Sequence, residues 1–215
     1  VGEDYYTLAC AALRQSVGAH KLVENGKGEL LFLSKECDSN GCIGTADVSY
    51  PSVPLYLIYN PELVNAMMTG IFDFAKMPVW TFDFAPHDIG TYPWCIGQVY
   101  SIRNADDKYS CNMTCFWDYP RTHTMLYLRP AESHVYDEGY QMPVEECGNM
   151  LIMTAAAMLA GASEKQAKKN FPLLKKWVKY LEKYGLNPSN QLCTDDFAGH
   201  LSDNVNLAVK ALVGI

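Results

Sequence analysis

Pro143-Val-Glu-Glu-Cys-Gly-Asn-Met150 places two carboxylates, an amide and a glycine in one short stretch, just where a long apolar helix begins. A second acid pair, Asp195 and Asp196, lies in Thr194-Asp-Asp-Phe-Ala-Gly-His200 and opens the last helical pattern of the chain in the same way. Two further polar clusters stand earlier. Gly44-Thr-Ala-Asp-Val-Ser-Tyr-Pro51 carries Asp47 and Tyr50 ahead of a helix, and Ala85-Pro-His-Asp-Ile-Gly-Thr-Tyr-Pro93 presents His87, Asp88 and Tyr92 on a turn. Near the C-terminus, Asp196, His200 and Asn204 follow helical spacing and are predicted to share one face. Paired carboxylates among aromatic residues suit general acid/base hydrolysis, one acid raised by burial and its partner left ionised.

Each cluster also has a plainer explanation. Acids in a helix first turn are favoured by the macrodipole by roughly 0.3–1 kcal/mol each. That accounts for one of Glu145 and Glu146, and for Asp195, as well as catalysis does. Asp88 could simply organise its own turn, and a lone His200 is ordinarily structural. Four acid-bearing clusters at loop-to-helix boundaries are harder to explain one by one. The nucleophilic alternatives, Cys147 or Cys193 paired with His200, are weaker because small buried thiols are common. There is no nucleophile elbow, phosphate loop or dinucleotide fingerprint.

Helical periodicity supplies the elements that position these groups. A helix is predicted over 4–19, and another after Asn60-Pro61-Glu62, where Asn caps and Pro occupies the first turn. Glu145 to Leu159 reads as an almost wholly apolar, buried helix. Ser163-Glu-Lys-Gln166 is a capping box; Pro172 is expected to break or restart the helix that follows, and Gly185 to end it. Thr194 is read as the cap of a last helix with Phe197, Leu201, Val205, Ala208, Val209 and Leu212 along its stripe. Weak strand signals fall at Glu29–Ser34 and Met125–Arg129. Between Pro78 and Glu145 the chain is rich in Pro, Gly, Tyr and Trp; so long a loop region in a compact domain tends to be functional.

Composition narrows the class. Charged residues are 19%, aromatics 12% and apolar residues 49%, as in an ordinary globular domain, and the net charge is −7 without a basic stripe. Nucleic acid is therefore not an expected partner. The Lys-rich run from Lys165 to Lys183 is a solvated helix face, and no apolar run reaches the ~20 residues of a membrane span. The chain is expected to be one catalytic-type helical domain, a motif-bearing half over 1–142 and a helical half over 143–215, excised from a longer protein. Among the eight cysteines, Cys37/Cys42 and Cys111/Cys115 lack zinc-site spacing but could close loop disulfides. Asn112-Met-Thr114 fits a glycosylation acceptor. Asp38-Ser-Asn-Gly41 offers oxygens of the kind calcium takes, without a known loop's spacing; no metal or cofactor is expected.

The motifs "GTADVSYPSVPL", "FAPHDIGTYP", "MPVEECGNMLI" and "LCTDDFAGHLSDNVNLAVKA" occur in this order and together resemble the glutaminase A family, the fungal-type glutaminases and their bacterial relatives. The resemblance runs from about Leu8 to Ile215. It implies a mainly α fold, an (α/α) toroid of the six-hairpin glycosidase type, of which this chain would hold only part. It also implies hydrolysis of L-glutamine to L-glutamate and ammonia by an exported, secreted or periplasmic enzyme. "HDIG" is similar to a motif in retaining β-glucosidases on the same toroid, so a glycoside hydrolase is the alternative, and a non-catalytic carbohydrate-binding domain a third. On the first reading Asp88, Glu145 and Asp196 do the acid/base work. Asp47, Tyr50, His87, Tyr92, Glu146, Asn149, Asp195, His200 and Asn204 hold a small-molecule substrate, and the domain packs on other segments of its own protein.

Overall fold

The structure is a computed structural model that describes residues 2–36, 40–102, 125–194 and 198–215. It is mainly helical. Helix α1 (Glu3–Gly18) leads into a two-stranded antiparallel hairpin, β1 (His20–Glu24) and β2 (Leu30–Ser34), in register from His20 opposite Ser34 to Glu24 opposite Leu30. Helices α2 (Ala46–Tyr59) and α3 (Glu62–Phe74) follow. The described residues of the aromatic-rich region then contribute loops and single 3-10 turns before α4 (Pro143–Leu159), α5 (Lys165–Tyr184) and α6 (Val205–Gly214).

α4 is the central helix and packs against α2, α3, α5 and α6. Its sequence explains that position. Pro143 pre-sets the first turn, and Val144, Cys147, Met150, Leu151, Met153 and Ala157 are all buried. The charges Glu145 and Glu146 therefore lie inside rather than on a solvated stripe. One orphan amide of the first turn, Val144 N–H, donates to Gln191 Oε1 at 3.0 Å. Facing α4, α3 buries Val64, Met67, Met68, Ile71 and Phe72, and Phe72 stacks on Trp177 of α5 at 5.5 Å. α1 buries none of its residues; it packs against β1, and Ser16 Oγ lies 3.1 Å from Tyr56 Oη of α2 in a hydrogen bond.

Several expected boundaries move. α2 begins at Ala46, so Asp47 and Tyr50 lie inside it rather than ahead of it, and it runs through Pro51 and Pro54. α5 likewise runs through Pro172; a proline costs one backbone hydrogen bond, and the Trp177 and Leu181 face, both buried in the core, outweighs it. The last helix starts at Val205, not Thr194. Gly199 and Asp203 hold positive φ angles of 77° and 53°, which end any helix, and Gln191 pairs instead with Leu201. Its cap is Asn204, whose Oδ1 accepts from Asn206 N at 2.9 Å and Leu207 N at 3.4 Å. The strand signal at Met125–Arg129 is a 3-10 turn over Leu126–Leu128.

Candidate active site

Three segments converge on one buried polar cluster. In the first, residues 41–46 pair with 87–92: Ile43 N–H donates to Gly90 O at 2.9 Å, Ile89 N–H to Ile43 O at 3.1 Å, and Ala46 N–H to His87 O at 2.9 Å. That pairing seats the first turn of α2, with Asp47, beside His87. The second segment is the turn at 85–100. Gly90 has φ 148°, and a Cβ there would lie 2.0 Å from Trp94 O, so only glycine allows this path. The third is the first turn of α4, tied to the turn by Ala85 N–H donating to Cys147 Sγ at 3.4 Å.

Asp88 is fully buried and saturated. Its Oδ1 accepts from Gly90 N and Val99 N, both at 2.9 Å, and its Oδ2 from Tyr100 N at 3.1 Å and His87 Nδ1 at 3.0 Å. It organises the turn and fixes the His87 ring at once. Tyr100 stacks on that ring with 4.2 Å between centroids, and His87 N–H donates to Gln98 Oε1 at 2.7 Å. Gln98 is in turn held by Gln141 Oε1 at 2.9 Å. His87 Nε2 faces Asp47 Oδ1 at 3.5 Å, without hydrogen-bond geometry.

On α4, Glu145 Oε1 accepts from Thr194 Oγ1 at 2.6 Å, from Asn149 Nδ2 at 3.0 Å and from Lys210 Nζ. Asn149 joins both acids. Its Nδ2 also reaches Glu146 Oε2 at 3.3 Å, while its Oδ1 accepts from Lys210 Nζ at 2.9 Å. Lys210 comes from α6, crosses Gly148, and holds its ammonium 4.4 Å from the Tyr50 ring centre. Three buried carboxylate oxygens, Asp47 Oδ1, Glu145 Oε2 and Glu146 Oε1, have no hydrogen-bond partner.

Electrostatics follow from this geometry. Burial pushes Asp47 above the usual carboxylate range, opposed by His87 and reinforced by Glu145. Burial also raises Glu146 well above that range; Asp47 and Glu145 add to the rise, and His87 and the Asn149 hydrogen bond work against it. For His87 burial acts in the other direction and would lower it. Asp47, the Asp88 hydrogen bond and Glu146 outweigh burial and lift it to about 10.

The structure thus brings together Asp47, Tyr50, His87, Asp88, Glu145, Glu146 and Asn149 from the sequence-predicted set. Tyr92 is half exposed with Lys35 Nζ 5.4 Å from its ring centre, His200 packs edge-on against Tyr140 at 6.1 Å, and Asn204 is occupied as a cap. The expected shared helical face of Asp196, His200 and Asn204 does not form, because the chain is not helical at His200 and Asn204. Asp195 and Asp196 lie outside the described residues, as do Cys37, Asp38, Cys111, Asn112 and Cys115. Lys210, Thr194, Gln98, Gln141 and Tyr100 were not in the predicted set. Of these only Lys210 leaves a signal, as the one charge inside the apolar stretch Val205–Gly214.

The aromatic residues have a different place. Phe74, Trp80, Phe82, Phe84, Tyr136 and Tyr180 interlock through ring contacts of 4.9–6.4 Å. They are chiefly packing between the 78–84 loop, α3 and α5.

The central helix thus buries two adjacent acids beside a carboxylate-locked histidine, groups of the types that carry general acid/base chemistry. Residues 2–215 match the glutaminase A six helical-hairpin domain, and the chain belongs to that family. It is 32% identical over 214 residues to a protein named glutaminase A of Aspergillus oryzae, which covers 100% of this chain and 26% of that protein. It is 29% identical over 241 aligned residues to a protein named probable glutaminase of Arthroderma benhamiae, covering 99% of this chain and 27% of that protein. The chain therefore spans about a quarter of the length of these relatives. No solved structure matches it.

Proposed function

We propose that this chain contributes the catalytic cluster of a glutaminase-like amidohydrolase, converting L-glutamine and water to L-glutamate and ammonia. The observation that carries the reading is the convergence of Asp47, Glu145 and Glu146, each with a buried oxygen lacking a partner, around a histidine that Asp88 fixes in place. A protein does not leave three such oxygens unsatisfied at small cost, since each forfeits roughly 1–3 kcal/mol of solvation. Groups presented by a substrate and an attacking water would supply the missing partners. In this scheme Glu145 Oε2 accepts the proton of the attacking water and returns it to the leaving amide nitrogen. Lys210 and Asn149 hold that carboxylate in position, and His87 faces the carbonyl oxygen. Asp88 acts through His87, which refines its expected acid/base role to positioning. Asp196, two residues beyond Thr194, stays in the proposal as the second acid.

The wider architecture belongs to the same proposal. α1 exposes Tyr5, Tyr6, Leu8 and Leu13, and α6 exposes Val205, Val209 and Leu212. In an (α/α) toroid of a longer, exported protein these faces would pack on further helices.

The test is ammonia release from L-glutamine by the full-length protein, with aryl glycosides assayed beside it. Glu145→Gln is expected to lower kcat at least 100-fold while KM changes little, the range that general acid/base groups contribute. Wild-type turnover retained by a folded Glu145→Gln protein would remove the proposed base. Glycoside cleavage without ammonia would reassign the cluster to a glycosidase.

A further inference from the structure

We propose that Asp47, His87 and Glu146 form a binding site for one divalent transition-metal ion. A ring nitrogen and two carboxylate oxygens, one from each residue, all lie within 4.8 Å of one another. Donors bound to a common ion at about 2.0–2.2 Å stand at most about 4.4 Å apart, so closing the set requires only small side-chain movements. The three residues come from separate segments that the fold pins together through Ala46 N to His87 O and Ala85 N to Cys147 Sγ.

Three independent features point to an ion. Asp47 Oδ1 and Glu146 Oε1 are buried without a hydrogen-bond partner, the state expected of ligands awaiting a cation. His87 donates its other ring N–H to Asp88 at 3.0 Å, the carboxylate–histidine arrangement that fixes the tautomer and turns the remaining nitrogen's lone pair toward a metal. Finally, the cluster buries four carboxyl groups, Asp47, Asp88, Glu145 and Glu146, against two cationic side chains, His87 and Lys210. A dication that displaces the His87 ring proton adds one net positive charge against that excess of acids. One imidazole with two carboxylates suits manganese or zinc, whereas calcium and magnesium prefer oxygen donors alone and copper(I) prefers sulfur.

The ion's catalytic relevance rests on the reading of this cluster as the reaction centre; its binding does not. Bound there, it would take over from the His87 imidazolium the positive charge that faces the substrate carbonyl, while Glu145 remains free as base.

Chelator-stripped full-length protein is titrated with Mn2+, free ion being followed by electron paramagnetic resonance, and Zn2+ is then added as competitor. Mn2+ is chosen because the exposed thiols of Cys10 and Cys95 are poor ligands for it. One site displaced by Zn2+ is expected, lost or weakened at least tenfold in His87→Gln and in Glu146→Gln, and unchanged in the exposed-residue control His134→Gln. Asp88→Asn is expected to weaken it roughly 10–100-fold. Zn2+ should also raise the Tm of the wild type but not of His87→Gln, which reads binding without activity. Absence of a saturable site, or equal affinity in folded His87→Gln and Glu146→Gln proteins, overturns the inference. Ion binding without ammonia release keeps the site and removes the amidohydrolase; ammonia release by protein that binds no ion does the reverse.

Discussion

Glu145 sits at 0% exposure, and its partner Lys210 comes from a helix 65 residues further along the chain. The Glu145–Glu146 pair and its Asn149 were legible as a polar patch opening an apolar helix. Lys210 stood out only as the one charge in its helix, and its role did not, because a single lysine in Val-Asn-Leu-Ala-Val-Lys-Ala-Leu-Val reads as a snorkelling surface residue until the neighbouring helix is known. A buried pair is held by mutual compensation, so losing one partner strands the other charge, at about 3–5 kcal/mol. Lys210→Met is therefore expected to lower unfolding free energy in urea by about 3 kcal/mol. Adding Glu145→Gln to Lys210→Met should then recover part of that loss, since the stranded charge is gone. Simple additivity of the two single losses would mean that the pair does not interact in the way its geometry suggests.

At the scale of elements, the sequence disclosed most helices and the ends at Leu159 and Gly185, but misplaced the starts of α2 and α6. Cap-like residues at Thr194 imitate a helix start, but positive φ at Gly199 and Asp203 is a backbone property that side-chain pattern does not display. β1, His-Lys-Leu-Val-Glu, is too short and too mixed to stand out before its partner β2 is placed. Glycines carry the packing information that periodicity omits. At Gly185 a Cβ would meet Ala211 Cβ at 2.5 Å and Leu181 O at 2.6 Å, so glycine sets how closely α6 approaches the end of α5. Backbone cannot retreat as a flexible side chain can, and Gly185→Ala is expected to cost about 1–3 kcal/mol. Gly18, at the end of α1, has open space around its Cβ position. Gly18→Ala should be neutral or slightly stabilising, by up to about 1 kcal/mol. Thermal unfolding of both variants checks the pair; a tolerated Gly185→Ala would mean that the two helices sit further apart.

For the molecule as a whole, the hairpin and α2 share a second, half-buried histidine whose titration reports on global stability. His20 stacks on Phe32 at 4.6 Å, meets Tyr56 edge-on at 5.4 Å, and donates from Nδ1 to Ser16 O at 2.7 Å, with Nε2 buried and unpartnered. Burial lowers its pKa below the ordinary 6.5, the Ser16 hydrogen bond works against that, and the Lys35 charge adds to it. With the folded value below the unfolded one, the unfolded chain binds the extra proton first on acidification. The favourable contribution is fully present above the unfolded pKa of about 6.5 and is lost as pH falls below it through the folded value. Unfolding free energy should therefore fall between pH 7.5 and 5.5 more steeply in the wild type than in His20→Gln, which cannot take up that proton. The comparison needs urea unfolding of both proteins at the two pH values, and it isolates His20 because every other titrating group is common to the pair. Parallel pH dependences would show that the imidazole is solvated in the folded protein, and that the contact between the hairpin and α2 is looser than the stacked rings indicate.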